Sequence, residues 1–216
     1  MARILLTAGP TRAYIDDVRY LTNASSGRMA RALAEAALAR GHEVVIVSGP
    51  VHVEYPRRAR VVPVVTTAEM LAASLRELPA CDGVIAAAAP CDFEPVKRQP
   101  GKIPRQGAGL TLRLKPTTDI IATLARRERP GPWFVAFALE PGADPRRAFE
   151  KITAKRCDLI VVNDVTALES DETAVAVYDA RHAHVGSKRA SKRAVSGWLV
   201  RMIENLLIAG RKRSPP

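Results

Sequence analysis

The sequence predicts an α/β fold built on a doubly wound, Rossmann-like and mainly parallel sheet. Short runs that are apolar throughout alternate along the chain with segments whose apolar residues recur at helical spacing. Strands of this kind belong to sheets that helices cover on both faces, and right-handed crossovers between them produce the doubly wound arrangement. The six runs predicted as strands are Ile4–Thr7, Glu43–Ser48, Val61–Val65, Gly83–Ala87, Trp133–Ala138 and Asp158–Val162.

Segments of helical periodicity separate these strands. In the first of them Met29 and Leu33 share one face, and Gly41 follows as a C-terminal stop. Thr66 or Thr67 is predicted to cap the second. The helices are predicted at about 26–40, 67–78, 118–128 and 144–155.

The pattern changes after the sixth strand. Ala174–Tyr178 and Ala183–Ser187 are predicted to pair as a hairpin, followed by a final helix with one apolar stripe. The excursion at about 165–190 would suit a contact between subunits. The whole chain, 1–216, is predicted to form one domain, with a frayed polar tail from Gly210 to Pro216. The stripe of the final helix contains Val195, Trp198, Leu199, Met202 and Leu206.

The segment at about 94–109 interrupts the alternation of strands and helices. It is rich in proline, glycine and basic residues, so it predicts a long mobile loop of the kind that often serves as a lid. Lys102 on this loop is a candidate to close over a polyphosphate, and the alternative is an ordinary solvated lysine. Leu110–Leu114 alternates apolar and polar residues, which predicts a strand with one solvent face.

Composition and charge limit the classes of partner. The formal net charge is +11, but much of the excess lies near the C-terminus without interleaved aromatic residues, so no nucleic-acid partner is expected. No window approaches the roughly 18 apolar residues of a membrane helix, and the N-terminus does not resemble a signal peptide. Cys81, Cys91 and Cys157 are expected to be reduced thiols. A cytoplasmic protein with no membrane partner is predicted.

Several familiar motifs are absent from the sequence. The first strand is followed neither by Gly-x-Gly-x-x-Gly nor by a P-loop, and no Gly-x-Ser-x-Gly occurs. An NAD(P)-dependent oxidoreductase is therefore disfavoured but stays the alternative enzyme, and a basic nucleic-acid-binding module stays the alternative non-enzyme. The four histidines are predicted as surface or strand residues outside any catalytic group: His42, His52, His182 and His184.

Polar residues gather instead where the predicted parallel strands end, which is where doubly wound sheets bind ligands. The loop Thr22–Arg28 runs into the first helix, whose free N–H groups can hold a phosphate. Alternatively, Ser25 or Ser26 simply caps that helix. Lys151 and Lys155 share one helix face, and their repulsion favours a nearby anion. The other strand-end segments are Gly9–Arg12, Arg19, Ser48–Pro50, Ala88–Asp92, Phe137–Glu140 and Asn163-Asp164.

Two N-terminal blocks, Thr7–Arg12 and Asp17–Gly27, resemble the signature of phosphopantothenoylcysteine synthetase of the bacterial type. This family, also called phosphopantothenate–cysteine ligase, belongs to coenzyme A biosynthesis. The resemblance covers about residues 3–180, and its later stretches follow in the family's order. They are Val47–Pro50, Ala86–Phe93, Thr118–Ile120, Val135–Glu140, Lys151-x-x-x-Lys155 and Asp158–Asp164.

The resemblance implies a stand-alone ligase that joins 4′-phosphopantothenate to cysteine through an acyl-nucleotidyl anhydride, with release of pyrophosphate. The bacterial form of Gly9–Arg12 and Val18–Gly27 implies CTP as the co-substrate in preference to ATP. Mg²⁺ is expected with the triphosphate, although no metal ligand can be assigned, and no flavin is expected. The resemblance further implies a homodimer and a functional link to a separate flavin-dependent decarboxylase.

The same resemblance assigns roles by position. Asn23 would steady the acyl carbonyl through its amide, Arg19 would shape the same pocket, and Lys102 would clamp the triphosphate. The chain departs from the family where Pro104-Arg105 replaces two lid lysines and where Thr173 replaces a usual asparagine. The nucleotide-binding residues are expected to be Gly9, Ser25, Ser26, Gly27, Asp92, Asp119, Ile120, Ile121, Ala122, Phe137, Lys151 and Lys155.

Overall fold

An eight-stranded sheet with helices on both faces forms the centre of the molecule. The computed structural model describes residues 1–105, 107, 109–126, 131–140, 145–163 and 171–209. The strands in these ranges are β1 (Arg3–Ala8), β2 (Arg12–Tyr14), β3 (Tyr20–Thr22), β4 (Glu43–Ser48), β5 (Arg60–Pro63), β6 (Gly83–Ala86), β7 (Phe93–Pro95), β8 (Leu114–Pro116), β9 (Trp133–Leu139), β10 (Leu159–Asn163), β11 (Glu172–Asp179) and β12 (His184–Ser191). The α-helices are α1 (Arg28–Ala39), α2 (Thr67–Glu77), α3 (Ile120–Ala125), α4 (Pro145–Ala154) and α5 (Lys192–Ile203).

The strands of the central sheet follow the order β12-β11-β10-β9-β6-β1-β4-β5. All neighbours from β10 to β5 are parallel, whereas β11 runs antiparallel to both β10 and β12. The predicted doubly wound sheet with a C-terminal hairpin is confirmed. From β1 the chain builds outward through β4 and β5, and it then returns to place β6 on the other side of β1. Such a switch opens a crevice at the carboxyl ends of the strands.

Alternate side chains of β1 pack on opposite faces of the sheet. Ile4 and Leu6 join the core that α1 and α5 cover, while Leu5 joins the core that α2, α3 and α4 cover. All three side chains are at most 1% exposed, and burying each stabilises the fold by about 1.5–3 kcal/mol. Burial on both faces explains why the predicted strands are continuously apolar.

Helix α2 begins at a capping box. The Thr66 hydroxyl accepts the Glu69 N–H at 3.2 Å, and the Glu69 carboxylate accepts the Thr66 N–H at 3.3 Å. Two N–H groups that would lack partners in the first turn are satisfied in this way. The alternative of a cap at Thr66 is therefore confirmed over one at Thr67.

Two small hairpins lie outside the central sheet and were not predicted. β2 pairs with β3, and β7 pairs with β8. Each strand has only three residues, too few for a period of two to be recognised in the sequence. The predicted strand Leu110–Leu114 is wrong, because pairing begins at Leu114. Leu110 is 55% exposed, so its alternating segment has no buried face to cover.

The C-terminal region agrees with the prediction in outline. Val195 and Leu199 of α5 are buried against α1, but Leu206 is 46% exposed, so its assignment to the buried stripe is wrong. A π-helical turn at Glu204–Ile208 follows α5 and changes the angular spacing of its side chains. His42 is also not a surface residue: it is 4% exposed, accepts the Ala2 N–H and contacts Glu204.

Other expectations have simpler outcomes. The three cysteines are buried free thiols. Within the described ranges no helix combines the length and apolar character needed to cross a bilayer. Several predicted features lie outside the described residues. They are 106 and 108 of the lid, 127–128 and 144 of two helices, Asp164, 165–170 of the excursion and the tail from Gly210 to Pro216.

Candidate functional site

A cavity opens at the carboxyl end of the sheet, beside the switch between β1 and β6. Hydrogen bonding between these two strands continues beyond their ends. Pro10 forms a parallel bridge with Ala89, and the Ala88 N–H donates to Thr7 Oγ1 at 3.4 Å. The cavity has a volume of about 760 Å³, which is in the range of small-molecule sites. It lies where the polar strand-end segments were predicted to meet.

Most of the predicted binding residues line this cavity, but Gly9, Arg19, Lys102 and Ala122 are not among its lining residues in the described part of the chain. Gly9 has a φ of 70°, and a Cβ there would lie 2.7 Å from Val51 Cγ1, so this glycine serves the turn after β1. The predicted residues that line the cavity are Asn23, Ser25, Ser26, Gly27, Asp92, Asp119, Ile120, Ile121, Phe137, Lys151 and Lys155.

Asn23 links the loop after β3 to the segment after β6. Its Nδ2 donates to the carbonyl oxygens of Pro90 at 2.9 Å and Ala89 at 3.3 Å. The main-chain carbonyl of Asn23 accepts the Ser25 N–H at 2.9 Å. Because the amide hydrogens point to main-chain carbonyls, the side chain has to release one of them before it can donate to a substrate oxygen.

Helix α1 begins at the cavity without a side-chain cap. Gly27 occupies the capping position with a φ of 76°, and no acidic residue lies in the first turn. A Cβ on Gly27 would lie 3.0 Å from Val51 Cγ1 and 3.1 Å from Val53 Cγ2, so both backbone conformation and space favour glycine. The alternative in which Ser25 or Ser26 caps the helix is wrong. The first N–H groups of α1 remain available to an anion.

At one end of the cavity, carboxylates pair with Lys151 of α4 and with Lys155, which directly follows that helix. Lys155 Nζ lies 3.0 Å from Asp119 Oδ2, and Lys151 forms an ion pair with Glu140, whose side chain is 3% exposed. Asp119 also caps α3, because its Oδ1 accepts the Ala122 N–H at 3.0 Å. The nearby anion that the repulsion between Lys151 and Lys155 favours is supplied by protein carboxylates, and contact of these lysines with a nucleotide stays a prediction. We call Asp119, Lys151 and Lys155 the α4 end.

Arg19 lies on the turn between β2 and β3 and binds the segment that carries Lys102. Its guanidinium contacts the Ile103 carbonyl and pairs with Asp16, at 3.0 Å between Nη2 and Oδ2. The fully buried Asp16 carboxylate also accepts the N–H groups of Val18, Arg19 and Ile103 at 2.6–3.1 Å. Burial alone would raise the pKa of Asp16, but these hydrogen bonds and the Arg19 charge lower it from 3.8 to about 2.

The predicted lid at about 94–109 contacts the same turn through residues in its described part. Asp17 accepts the Gly101 N–H at 2.7 Å and pairs with Arg98 at 2.8 Å. Lys102 therefore lies next to Ile103, whose carbonyl Arg19 binds. Neither Lys102 nor Arg19 belongs to the cavity wall. Its motion over a bound ligand stays a prediction.

Three further polar residues line the cavity at the end formed by α5. They are Arg28, Thr173 and Lys192, which we call the α5 end. From the sequence, Lys192 is only one of the basic residues near the C-terminus, and Thr173 is only a departure from the family's usual asparagine. A signal was available, because β12 is parallel to β10 after two antiparallel steps, and the residue that follows β12 must reach the ligand-binding edge.

Fold and cavity together define a Rossmann-like α/β protein with a cavity at the switch point of its parallel sheet. The chain belongs to the family described as DNA/pantothenate metabolism flavoprotein C-terminal domain, whose model matches residues 1–207. The family resemblance drawn from Thr7–Arg12 and Asp17–Gly27 is confirmed.

Individual relatives agree with this family. The chain is 43% identical over 165 residues to the coenzyme A biosynthesis bifunctional protein CoaBC of Bacillus subtilis, covering 76% of this chain and 40% of that protein. It therefore spans about two fifths of that relative's length. The crystal structure of a CoaBC C-terminal domain matches with a TM-score of 0.80 and 32% identity over 96% of this chain and 98% of the other. A flavoprotein of the same description from Streptococcus pneumoniae, at 21% identity and a TM-score of 0.82 over 95% and 100% of the two chains, shares the fold.

Proposed function

We propose that this chain is a phosphopantothenate–cysteine ligase that uses CTP. In the first step a carboxylate oxygen of 4′-phosphopantothenate attacks the α-phosphorus of CTP, and pyrophosphate leaves. In the second step the cysteine amine attacks the acyl carbon of the resulting acyl-cytidylate. CMP leaves with the bonding electron pair, and the amine proton passes to solvent.

The placement of Asn23 on the cavity wall, five residues before the first residue of α1, carries this proposal, because the start of α1 has no side-chain cap. Both steps develop negative charge, first on pyrophosphate and then on the acyl oxygen. Such charge is stabilised best by donors that are held in place before the reaction begins. The first N–H groups of α1 are neutral donors of this kind. The Asn23 amide becomes a further neutral donor at the same cavity once it releases one of its two main-chain acceptors. The names of the relatives, which refer to coenzyme A biosynthesis, agree with this chemistry.

The α4 end is proposed to hold the nucleoside. Ile120 and Ile121 are buried there, and Phe137 adds a half-buried aromatic ring to the cavity wall. Because Asp119 and Lys155 already neutralise each other at 3.0 Å, this end suits a neutral base and sugar better than a polyphosphate. A neutral ligand does not disturb a matched ion pair.

Arg19 and Lys102 are proposed to act from the docked lid. Because Arg19 holds the Ile103 carbonyl, a movement of this turn would carry Lys102 with it. Lys102 would then approach the triphosphate as a point charge. Neither residue lines the cavity of the single chain, so a movement or a second subunit has to complete the site. The predicted homodimer, with a contact through about 165–190, would provide that subunit.

Mg²⁺ is proposed to enter with the nucleotide. In the described part of the chain no group of three or more His, Cys, Asp or Glu side chains could hold a metal ion. Mg²⁺ on nucleoside triphosphates typically takes phosphate and water ligands with one or two carboxylates. The exposed carboxylate of Asp92 on the cavity wall fits that pattern. A bound Mg²⁺ would offset the charge of the triphosphate.

A pyrophosphate-release assay tests the proposal. The purified chain is incubated with 4′-phosphopantothenate and either CTP or ATP, with and without cysteine. We expect pyrophosphate with CTP, and phosphopantothenoylcysteine with CMP only when cysteine is added. Reactions without 4′-phosphopantothenate, or with a chelator, are the controls. No pyrophosphate with either nucleotide would contradict the ligase function, and equal rates would contradict the preference for CTP.

The expected partners follow from this reaction. The ligase step needs no flavin, and a flavin-dependent decarboxylase would take the product onward. A cytoplasmic location is proposed because all three substrates are small cytoplasmic metabolites. Size-exclusion chromatography with light scattering tests the homodimer, and a mass of about 23 kDa would contradict it.

A further inference from the structure

The α5 end of the cavity contains a buried lysine that the proposed reaction does not yet use. Lys192, the first residue of α5, is 9% exposed and lines the cavity. Its backbone N–H donates to the Asp171 carbonyl at 2.9 Å, which fixes the start of the helix. Among the residues that the structure describes, its ammonium group has no ion-pair partner within 4.0 Å.

The nearest carboxylate is engaged elsewhere. Asp171 pairs with Arg28 at 3.1 Å, and its side chain is 92% exposed to solvent. Burial lowers the pKa of Lys192, the charge of Arg28 lowers it further, and Asp171 raises it. Two cations thus face the cavity with one solvent-exposed carboxylate between them. A buried unpaired charge is unfavourable unless an opposite charge arrives.

A buried hydroxyl beside these cations also lacks a partner. Thr173, the second residue of β11, is 3% exposed and lines the same cavity. Its Oγ1 makes no hydrogen bond to any residue in the described ranges. Buried polar groups in native proteins are nearly always hydrogen-bonded, so one that is not indicates a missing ligand or water.

The groups at this end of the cavity share one chemistry. The lysine ammonium and the arginine guanidinium donate only, the hydroxyl has a proton to donate, and the first N–H groups of α1 add further donors. An acceptor-rich anion meets all of them at once. A phosphoryl group has oxygens in several directions and carries the charge that two cations require.

We propose that Arg28, Thr173 and Lys192, together with the start of α1, form a subsite that binds a phosphoryl group. The assignment rests on the proposed function in one respect, since CTP and 4′-phosphopantothenate both bring phosphoryl groups to this cavity. The α5 end thus differs from the α4 end, where Lys151 and Lys155 both have carboxylate partners. In this proposal the α5 end binds the negative charge of the substrate.

Neutralising Lys192 tests the subsite. Lys192→Met keeps the length of the side chain and removes its charge, and Arg193→Met makes the same change at an exposed neighbour on α5. Calorimetry measures the binding of inorganic pyrophosphate, CTP, CMP and 4′-phosphopantothenate. We expect Lys192→Met to weaken at least one phosphoryl ligand by about 10- to 100-fold, as for a lost charge-assisted hydrogen bond. Arg193→Met should bind as the unaltered protein does.

The set of ligands identifies the source of the phosphoryl group. Weaker pyrophosphate and CTP with unchanged 4′-phosphopantothenate would place the triphosphate at the α5 end. The reverse pattern would place the phosphate of 4′-phosphopantothenate there. Unchanged binding of all four ligands, or equal losses in Arg193→Met, would overturn the subsite.

Thr173→Val provides an independent variant, because valine matches the shape of threonine and suits a strand. Removing an unpartnered hydroxyl should leave the melting temperature of the free protein equal or higher, while weakening the same ligand as Lys192→Met. A lower melting temperature with unchanged binding would show that the hydroxyl is structural and would overturn its place in the subsite. The pyrophosphate-release assay separates the two proposals. If the protein ligates but Lys192→Met binds all ligands normally, only the subsite proposal is contradicted. If pyrophosphate binding depends on Lys192 but no ligation occurs, only the ligase proposal is contradicted.

Discussion

The two ends of the cavity treat positive charge in opposite ways. At the α4 end, Lys151 pairs with the buried Glu140, and Lys155 pairs with Asp119. At the α5 end, Lys192 is more deeply buried than either lysine but has no such partner among the described residues, because Asp171 contacts Arg28 instead. One end is complete without a ligand, and the other is not.

This difference indicates how a single cavity can separate two tasks. Matched charges keep the α4 end in one geometry and leave its apolar residues free to select a neutral group. Unmatched donors at the α5 end favour an anion and gain from it. The same residue type therefore has opposite meanings at the two ends, and only the partners on neighbouring elements distinguish them.

The largest expected effect is on the reaction rate and comes from Asn23. This residue belongs to neither end of the cavity and is the candidate that steadies the acyl group. Asn23→Asp replaces the amide donors by acceptors that face the carbonyls of Ala89 and Pro90. We expect the complete reaction to slow by about 100- to 1000-fold, as for the loss of a donor to a developing oxyanion. Product formation with all three substrates measures the effect.

Calorimetric titration of Asn23→Asp with CTP is the control. Retained CTP binding with lost turnover would agree with a role at the acyl centre. Full turnover in this variant would rule that role out, and joint loss of binding and turnover would assign Asn23 to the nucleotide site.

Stability measurements on two lysine variants test most directly whether the two ends of the cavity differ. Lys151→Met leaves the carboxylate of Glu140 buried without its cation, so we expect the free energy of unfolding to fall by about 1–3 kcal/mol. Lys192→Met removes a buried cation that has no carboxylate partner, so we expect no loss of stability or a gain. Urea denaturation of the free proteins checks both. Similar losses in the two variants would mean that the ends do not differ.

The sequence predicts the sheet and the loops at its carboxyl end, but not this balance of charge. Continuous apolar runs specify strands buried on both faces, and parallel strands bring Asn23, Asp92 and Phe137 to one edge. Lys151 and Lys155 were recognised by their helical spacing alone. Their partners, Glu140 and Asp119, come from other elements, so a pattern within one helix could not include them.

The site residues that the sequence does not predict have a similar explanation. Lys192 reaches the cavity because the antiparallel hairpin of β11 and β12 returns the chain to the carboxyl edge of β10. The predicted hairpin implies this return, but nothing in the local sequence distinguishes Lys192 from the basic residues around it. The cap alternative at Ser25 or Ser26 is wrong because Gly27 takes the capping position in a left-handed conformation, so that neither serine hydroxyl accepts an N–H of α1. In both cases the backbone path, and not the residue type, decides the role.

A matched charge outside the cavity extends the comparison and gives the smallest effect. Asp16 is buried like Glu140 and is held by Arg19 and by the Ile103 N–H of the lid segment. Its pKa falls from 3.8 to about 2 on folding. A carboxyl group with a lowered pKa stabilises the fold fully above its unfolded pKa, and this contribution is lost as the pH falls toward the folded pKa.

Asp16→Asn should therefore lower the free energy of unfolding by a constant amount between pH 5 and pH 7. The difference from the unaltered protein should shrink as the pH falls below about 4, because protons then neutralise the carboxylate in the unfolded chain. Urea denaturation of both proteins over this range measures the difference. A gap that stays constant or widens down to pH 3 would show that Asp16 acts through shape and not through its charge. The lid would then be held by its main-chain contacts. Stabilisation by pairing a buried carboxylate with a cation would be limited to the α4 end.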